Sequence, residues 1–224
     1  MKNLTLIIPA KKEKESLPVV IKELDKYDLK ILIILEKSDI ETINSINNLN
    51  CKIIYQSSKG YGNALIEGIN RVETKYFCIF NADGSFNPIE LDNMYGKLVS
   101  ENNDIVFASR YEKDCSSEDD TLVKYVGNYI FTKIGNIFFR LNITDILYTF
   151  VMGETIKIKN LNLKSQNFVF CVELPIKSKR NNLQITTSKS HERARIGGKK
   201  KVNALFDGLL ILLGLFKLFL NKSS

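Results

Sequence analysis

Apolar runs alternate with helical patterns throughout the first half of the chain, and this alternation limits the folds available to it. The runs predict strands at residues 4–8, 29–35, 52–55, 76–80 and 104–108. Between the first two runs, Leu17, Val20, Ile21 and Leu24 have the spacing of one buried helix face. Strands that alternate with helices build a mostly parallel sheet flanked by helices. The pattern therefore predicts a doubly wound α/β fold.

The second half of the chain has a different pattern. Residues 124–141 and 168–180 predict long helices, and residues 112–120 form a polar, acidic loop before them. No internal repeat or flexible linker separates the halves, and a chain of 224 residues, 44% of them apolar, can bury one core. We therefore predict one domain over residues 1–202, followed by an apolar segment over residues 203–224.

The cysteines argue against a secreted or zinc-binding domain. The four cysteines are far apart and form no C-x-x-C pair. Buried, reduced thiols are therefore preferred over a disulfide framework or a zinc site. The first apolar run is too short for a signal-peptide core and is followed by no small-residue cleavage site. We expect the protein to be cytoplasmic.

The apolar run 76–80 stops abruptly at a polar turn that carries Asp83. Pro88 suits the first position of the next helix, where its missing N–H would be unpaired in any case. Ligands of open α/β sheets bind at the carboxyl ends of strands, so Asp83, with Asn81 or Ser85, is a candidate ligand of Mg²⁺ or Mn²⁺ carrying a diphosphate. An Asp in such a turn is more often a cap or an Asx-turn. Both interpretations stay open on local grounds.

Six motifs, in order along nearly the whole chain, resemble those of family-2 glycosyltransferases. Residues 7–18 (IIPAKKEKESLP) resemble the opening I-P-x-x-N-E-x-x-x-L, residues 59–64 (KGYGNA) the G-x-G-x-A turn, and residues 81–83 (NAD) the D-x-D motif. Residues 104–111 (DIVFASRY) are similar to the D-I-V-x-G-S-R-Y strand of the polyprenyl-phosphate, or dolichyl-phosphate, branch. Residues 144–145 and 195–202 (RIGGKKKV) resemble the acceptor-side elements of that branch.

This resemblance implies a GT-A fold and an inverting transfer. The enzyme would bind a nucleotide-sugar, UDP- or GDP-linked, with Mg²⁺ or Mn²⁺, and would move the sugar to a polyprenyl phosphate. A phosphate acceptor is already anionic near neutral pH, so the reaction needs positioning and charge neutralisation rather than a general base. A chain with one histidine and no nucleophile–base pattern agrees with this chemistry.

The resemblance also implies a role for individual residues. The nucleotide site would comprise Pro9, Ala10, Glu13, Glu36, Lys59, Gly60, Asn81 and Asp83. The catalytic group would be Asp83, Arg110 and Asp145, and the metal ligands Asp83 with Asn81 or Ser85. The acceptor phosphate would be bound by Arg110, Lys124, Arg195 and Lys201, with Asp145 orienting them. Alternatively, Glu13 and Glu36 are solvated loop charges, Lys124 is a helix-surface lysine and Asp145 caps a turn.

Three positions depart from the family pattern. Asn81 replaces the first Asp of D-x-D, Lys12 replaces the Asn before Glu13, and Lys200 replaces a Ser. Asn still offers a carbonyl ligand, so we expect altered metal affinity or nucleotide preference rather than loss of binding. A catalytically inactive homologue is the alternative.

Residues 191–201 contain five basic residues interrupted by a Gly pair, in a chain of net charge +7. Glycines let the backbone approach an anion, and the cations neutralise it. A phosphate clamp that closes over substrate, a patch for anionic lipid and a nucleic-acid site are the competing interpretations. The last ranks lowest because no aromatic interleaving or nucleic-acid motif accompanies the cations, so we expect no nucleic-acid partner.

Residues 204–220 are apolar almost all round, with only Asp207 and Lys217 charged. As a helix the segment would be about 26 Å long, just short of a comfortable membrane span. We prefer a helix that lies in the interface at the cytoplasmic face of a membrane, beside the basic run, because a polyprenyl-phosphate transferase needs access to lipid. The alternative is a helix packed on the domain or at a homo-oligomer interface.

Other enzyme classes fit less well. A transferase acting on a saccharide hydroxyl would need a carboxylate base, and the processive Q-x-x-R-W signature is excluded because the chain has no tryptophan. A sugar nucleotidyltransferase should show a Gly-rich G-x-G-T-R-x loop where residues 9–13 (PAKKE) stand. A non-catalytic surface binder would keep the basic run and the apolar tail but would not depend on Asp83.

Overall fold

A computed structural model describes residues 1–197 and 204–221. The strands are β1 (Leu4–Pro9), β2 (Lys30–Leu35), β3 (Lys52–Tyr55), β4 (Tyr76–Ile79), β5 (Ile105–Ser109), β6 (Ser116–Ser117), β7 (Val151–Glu154), β8 (Ile185–Lys189) and β9 (His191–Glu192). The helices are α1 (Leu17–Leu24), α2 (Ile40–Ile46), α3 (Tyr61–Arg71), α4 (Glu90–Val99), α5 (Leu122–Phe139), α6 (Thr155–Lys159), α7 (Phe170–Arg180) and α8 (Ala204–Leu220).

Seven strands form the central sheet in the order β3-β2-β1-β4-β7-β5-β8. The four N-terminal strands pair in parallel, as do β5 and β8, whereas β7 runs antiparallel between β4 and β5. The inner strands read as near-continuous apolar runs because both faces of the sheet are covered. The predicted α/β fold with a mostly parallel, helix-flanked sheet is confirmed.

The two faces of the sheet are covered by different helices. One apolar layer contains side chains of α1, α2 and α4, and the other contains side chains of α3, α6 and α7. The predicted face of α1 is fully buried, and its helix begins with Pro18 in the first turn. Asp83 and Arg110 follow the carboxyl ends of two strands of this sheet, β4 and β5.

Several predicted boundaries need adjustment. The helix expected at residues 124–141 is α5, and that at 168–180 is α7. Pro88 is not the first helical residue: α4 begins at Glu90, and Pro88 lies in the preceding turn, where its carbonyl accepts the N–H of Leu91 at 3.1 Å. Residues 112–120 are not only loop, since β6 pairs in parallel with β9.

The apolar C-terminal segment forms α8, which packs against α5 and α7. Ile211 and Leu215 are buried there, and the ring of Phe219 meets that of Phe138 with centroids 5.6 Å apart. The Nη1 atom of Arg180 donates to the carbonyl of Asn221 at 2.9 Å, which ties the end of α8 to α7. Among residues 1–197 and 204–221, no helix combines the length and apolar character needed to cross a membrane.

All four cysteines are free thiols, but the predicted burial holds for only two of them. Cys78 and Cys171 are buried, whereas Cys51 and Cys115 are only partly covered. Burial raises the pKa of Cys171 to about 12, so this thiol is an inert core group.

Candidate functional site

In the turn after β4, the two carboxylate oxygens of Asp83 contact different partners. Its Oδ1 accepts the N–H of Ser85 at 3.1 Å, which is an Asx-turn, while its Oδ2 lies 2.9 Å from Nη2 of Arg195. Asn81 accepts the N–H of Phe86 at 3.2 Å and donates to the hydroxyl of Ser85 at 2.5 Å. The structure therefore shows the Asx-turn at Oδ1 and an ion pair with Arg195 at Oδ2. The roles of Asp83, Asn81 and Ser85 as metal ligands stay predictions.

A second ion pair extends this network. Asp119 lies 3.0 Å from Nζ of Lys124 and 3.9 Å from Nη2 of Arg195. Lys124 sits in the first turn of α5, where Thr121 accepts its backbone N–H at 3.4 Å as the N-cap. Lys124 is thus paired with Asp119 in the same network, and its role at an acceptor phosphate stays a prediction. Asp119 was not found from sequence because an acid in a polar loop resembles a solvated charge.

Arg110 forms the centre of a buried charge group. Its Nε and Nη2 donate to Asp145 at 2.8 and 3.1 Å, and its Nη1 donates to Glu192 at 3.1 Å. Asn128 of α5 also donates to Asp145, at 2.9 Å. The side chain of Asp145 is fully buried and fixes Arg110, so it is not a simple turn cap. Its role in orienting groups that bind an acceptor phosphate stays a prediction. Glu192 is a second carboxylate that sequence reasoning missed.

The environment keeps Arg110 charged and fixed. Burial disfavours the charged guanidinium, but Asp145 and then Glu192 outweigh it and raise the pKa of Arg110 well above its ordinary value. The guanidinium carbon also lies 4.4 Å from the ring centroid of Tyr148. Two carboxylates and an aromatic ring already contact Arg110. It can therefore bind an anion only if one of these partners moves away.

The residues expected at the nucleotide base lie at the ends of β1 and β2. The N–H of Ala10 donates to the carbonyl of Ile34 at 2.9 Å, which places Pro9 and Ala10 at the carboxyl edge of the sheet. Glu13 is 4% exposed and accepts the hydroxyl of Ser16 at 2.8 Å, so the solvated-charge alternative is wrong for this residue.

Glu36 lies at the same edge of the sheet, directly after β2. It accepts a hydrogen bond from Nζ of Lys11 at 3.0 Å. The side chain of Glu36 is 22% exposed, so it borders the open side of this edge. Its nucleotide role, like that of Glu13, stays a prediction.

Lys59 and Gly60 precede α3 and are exposed. Gly60 has φ +122°, and a Cβ there would lie 2.2 Å from the carbonyl oxygen of Gln166. The glycine of the predicted motif is thus required by the close passage of the Gln166 loop. Behind it, the hydroxyl groups of Tyr61 and Thr149 are hydrogen-bonded at 2.6 Å, and burial raises the pKa of Tyr61.

The metal prediction depends on Asp83. Within residues 1–197 and 204–221, no cluster of three or more His, Cys, Asp or Glu side chains could hold a metal ion. Asp83 Oδ2, however, already faces a cationic group, Arg195. Mg²⁺ is commonly held by one or two carboxylates, with substrate phosphates and water completing its shell. The donor set therefore fits a cation that arrives with a diphosphate.

The side chain of His191 is 46% exposed, and its Nε2 lies 3.0 Å from Glu118. Lys201, expected at the acceptor phosphate, lies outside the described residues.

Comparison with known proteins identifies the family. A sequence model described as glycosyl transferase family 2 matches residues 5–160. The chain is similar to glucosyl-3-phosphoglycerate synthase from Mycobacterium tuberculosis in complex with phosphoglyceric acid, at 12% identity and a TM-score of 0.77, over 96% of this chain and 79% of that one. It is also similar to the same enzyme with Mn²⁺, UDP and glucosyl-3-phosphoglycerate, at 13% identity and a TM-score of 0.76, with the same coverage.

At 12% and 13% identity, these structural likenesses show the GT-A fold for this chain. The sequence model spans more than half of the chain, including the strand end that carries Asp83. The protein therefore belongs to glycosyltransferase family 2 and is a glycosyltransferase.

Proposed function

We propose that the protein transfers a sugar, with inversion, from a UDP- or GDP-sugar to a polyprenyl phosphate at a membrane surface, and that Asp83 binds Mg²⁺ or Mn²⁺ with the donor. The observation that carries this proposal is the junction of charge and apolar surface at the start of α5. Leu122 and Val123 are 78% and 63% exposed, and the next residue, Lys124, belongs to the ion-pair network of the site. A lipid phosphate needs such a junction, because its head is anionic and its tail is apolar.

The apolar surface continues along α5 and onto α8. On α5, Tyr125, Val126, Tyr129 and Ile130 are all at least 45% exposed. On α8 the exposed apolar residues are Leu205, Phe206, Leu209, Leu212, Leu213, Phe216, Phe219 and Leu220. Monomeric soluble proteins rarely expose a contiguous apolar patch of this kind without a partner. We call this surface the α5–α8 face.

The chemistry requires little beyond charge and position. The acceptor phosphate supplies the nucleophilic oxygen already deprotonated, and Lys124 and Arg195 offer cations beside Asp83. When bound, a divalent cation would neutralise the diphosphate that leaves. Asp145 and Glu192 keep the guanidinium of Arg110 in one orientation.

A small phosphorylated acceptor is the second candidate. The similar solved structures contain phosphoglyceric acid or glucosyl-3-phosphoglycerate as acceptor or product. The cationic network would suit a phosphoglycerate as well as a lipid phosphate. This candidate leaves the α5–α8 face without a role, and for that reason we rank it second.

The test is a transfer assay with radiolabelled UDP- and GDP-sugars and Mn²⁺. One reaction contains a polyprenyl phosphate in anionic vesicles, and the other contains 3-phosphoglycerate. We expect labelled lipid product from wild type, loss of more than about 100-fold in Asp83→Asn, and no change in Asp92→Asn, an exposed helix carboxylate. Product only with 3-phosphoglycerate would favour the second candidate.

Vesicle sedimentation tests the α5–α8 face directly. Leu209→Ser with Leu213→Ser should reduce vesicle binding, while Ile40→Ser, at an exposed apolar residue of α2, should not. Unchanged binding in the double variant would refute a membrane role for α8. Concentration-dependent dimerisation of wild type without vesicle binding would instead indicate that the face joins two copies of the chain.

A further inference from the structure

We infer that Arg195 occupies the carboxylate oxygen of Asp83 to which the metal ion would bind, so that Arg195 and the cation compete for Asp83. The inference rests on the proposed function, because it assigns the cation to Asp83. It adds a competition between a side chain of this chain and the ligand for one oxygen atom.

The backbone of residues 193–196 lies directly on the Asp83 turn. The N–H of Arg193 donates to the carbonyl of Ser85 at 2.8 Å, and the N–H of Ile196 donates to the carbonyl of Asp83 at 2.9 Å. Gly84, with φ +84°, leaves the space that Ile196 fills, since a Cβ there would lie 2.4 Å from Cδ1 of Ile196. The segment is thus seated by main-chain bonds and by shape, independently of the Arg195 side chain.

The side chain of Arg195 makes a close but incomplete set of contacts. Nη2 is 2.9 Å from Oδ2 of Asp83, and the two side chains are only 21% and 14% exposed. Nε is buried and has no hydrogen-bond acceptor among the described residues. A buried guanidinium N–H without an acceptor is costly, so the position is not the best that this residue can have. Diphosphate oxygens would supply the missing acceptor.

Asp119 offers Arg195 a second position. Its Oδ2 lies 3.9 Å from Nη2, and it is also paired with Lys124. A modest rotation of Arg195 toward Asp119 would open Oδ2 of Asp83 without moving the seated backbone. A divalent cation and a guanidinium on the same oxygen of Asp83 would repel each other at close range, so each disfavours binding of the other.

The test measures Mn²⁺ affinity without any sugar transfer. Binding is followed by electron paramagnetic resonance of free Mn²⁺, with and without UDP. We expect Arg195→Gln and Arg195→Met to bind Mn²⁺ at least about tenfold more tightly than wild type, as loss of one charge-assisted contact predicts. Arg195→Lys, which keeps the charge, should stay near wild type.

Lys124→Gln is the electrostatic control. This variant removes one positive charge from the same network, but the lysine that it replaces contacts Asp119 rather than Asp83. We therefore expect less than about a threefold change in Mn²⁺ affinity. Equal Mn²⁺ affinity in wild type and both charge-free variants, with binding still abolished by Asp83→Asn, would overturn the competition and leave the proposed metal site intact. Mn²⁺ binding that is insensitive to Asp83→Asn, or absent from every protein even with UDP, would overturn both.

Discussion

Replacing Asp145 by Asn should destabilise the protein far more than the loss of an ordinary surface charge. The Asp145 side chain is fully buried and accepts four hydrogen bonds, from the N–H, Nε and Nη2 of Arg110 and from Nδ2 of Asn128. Asn would keep one acceptor oxygen but would turn an NH₂ group toward the guanidinium. Removing one partner of a buried ion pair costs about 3–5 kcal/mol.

Because Arg110 retains Glu192, the lower end of that range applies, about 3 kcal/mol. For a chain of this length, this corresponds to a fall in Tm of about 6–12 °C. Urea unfolding followed by circular dichroism gives the free energy, and Glu41→Gln, in an exposed pair with Lys14, is the control in which we expect no measurable change.

Because Arg110 also pairs with Glu192, separating charge from packing takes the triple variant Arg110→Met, Asp145→Leu and Glu192→Gln. This variant leaves no unpaired buried charge in the group, so it should be more stable than Asp145→Asn alone. A cost below about 1 kcal/mol for Asp145→Asn would refute the view that this buried charge group anchors the site.

Three further predictions follow from burial and space. Burial raises the pKa of Glu90, so wild type should lose stability relative to Glu90→Gln as the pH rises from about 4.5 through the raised pKa, and urea titrations at several pH values would detect this. Equal pH profiles of the two proteins would contradict it. Leu215→Ala, in the buried stripe of α8, should cost about 2–4 kcal/mol, whereas Leu212→Ala, which is exposed, should change thermal stability little. Gly68→Ala should destabilise by about 1–3 kcal/mol, because its Cβ would lie 2.4 Å from Cγ2 of Ile7, and a neutral thermal shift would show that Ile7 can move aside.

Much of the fold could be predicted because parallel strands that are buried on both faces have uninterrupted apolar sequences. The strands β1, β2, β4 and β5 have at most one residue that is not fully buried, and their runs were recognised. The strand β8 is Ile-Thr-Thr-Ser-Lys at the sheet edge, where one side is open and polar residues are tolerated, so its sequence resembles a loop. The strand β7 was missed because its antiparallel place between β4 and β5 depends on long-range pairing that no local pattern encodes.

The site shows the same division between local and distant information. Asp83 was predicted from a strand end, and Arg110 from a strand-end motif, because both signals are local. The cation that pairs with Asp83 is Arg195, and the carboxylate that pairs with Arg110 is Glu192. Both partners lie far along the chain. The resemblance to a family placed Arg195 near phosphate, but only the fold brings its guanidinium onto Asp83. No periodicity or spacing predicts that contact.

The charges of the described site explain why a nucleotide-diphosphate donor would need a divalent cation. Asp83 and Asp119 already pair with Arg195 and Lys124, so these two cations are engaged by carboxylates. A diphosphate brings further negative charge beside these carboxylates, which is costly away from bulk water. A divalent cation at Asp83 offsets that charge and also releases Arg195 from its present partner. Donor, cation and the movement of Arg195 are therefore expected to be linked in binding, since each removes an electrostatic obstacle to the others.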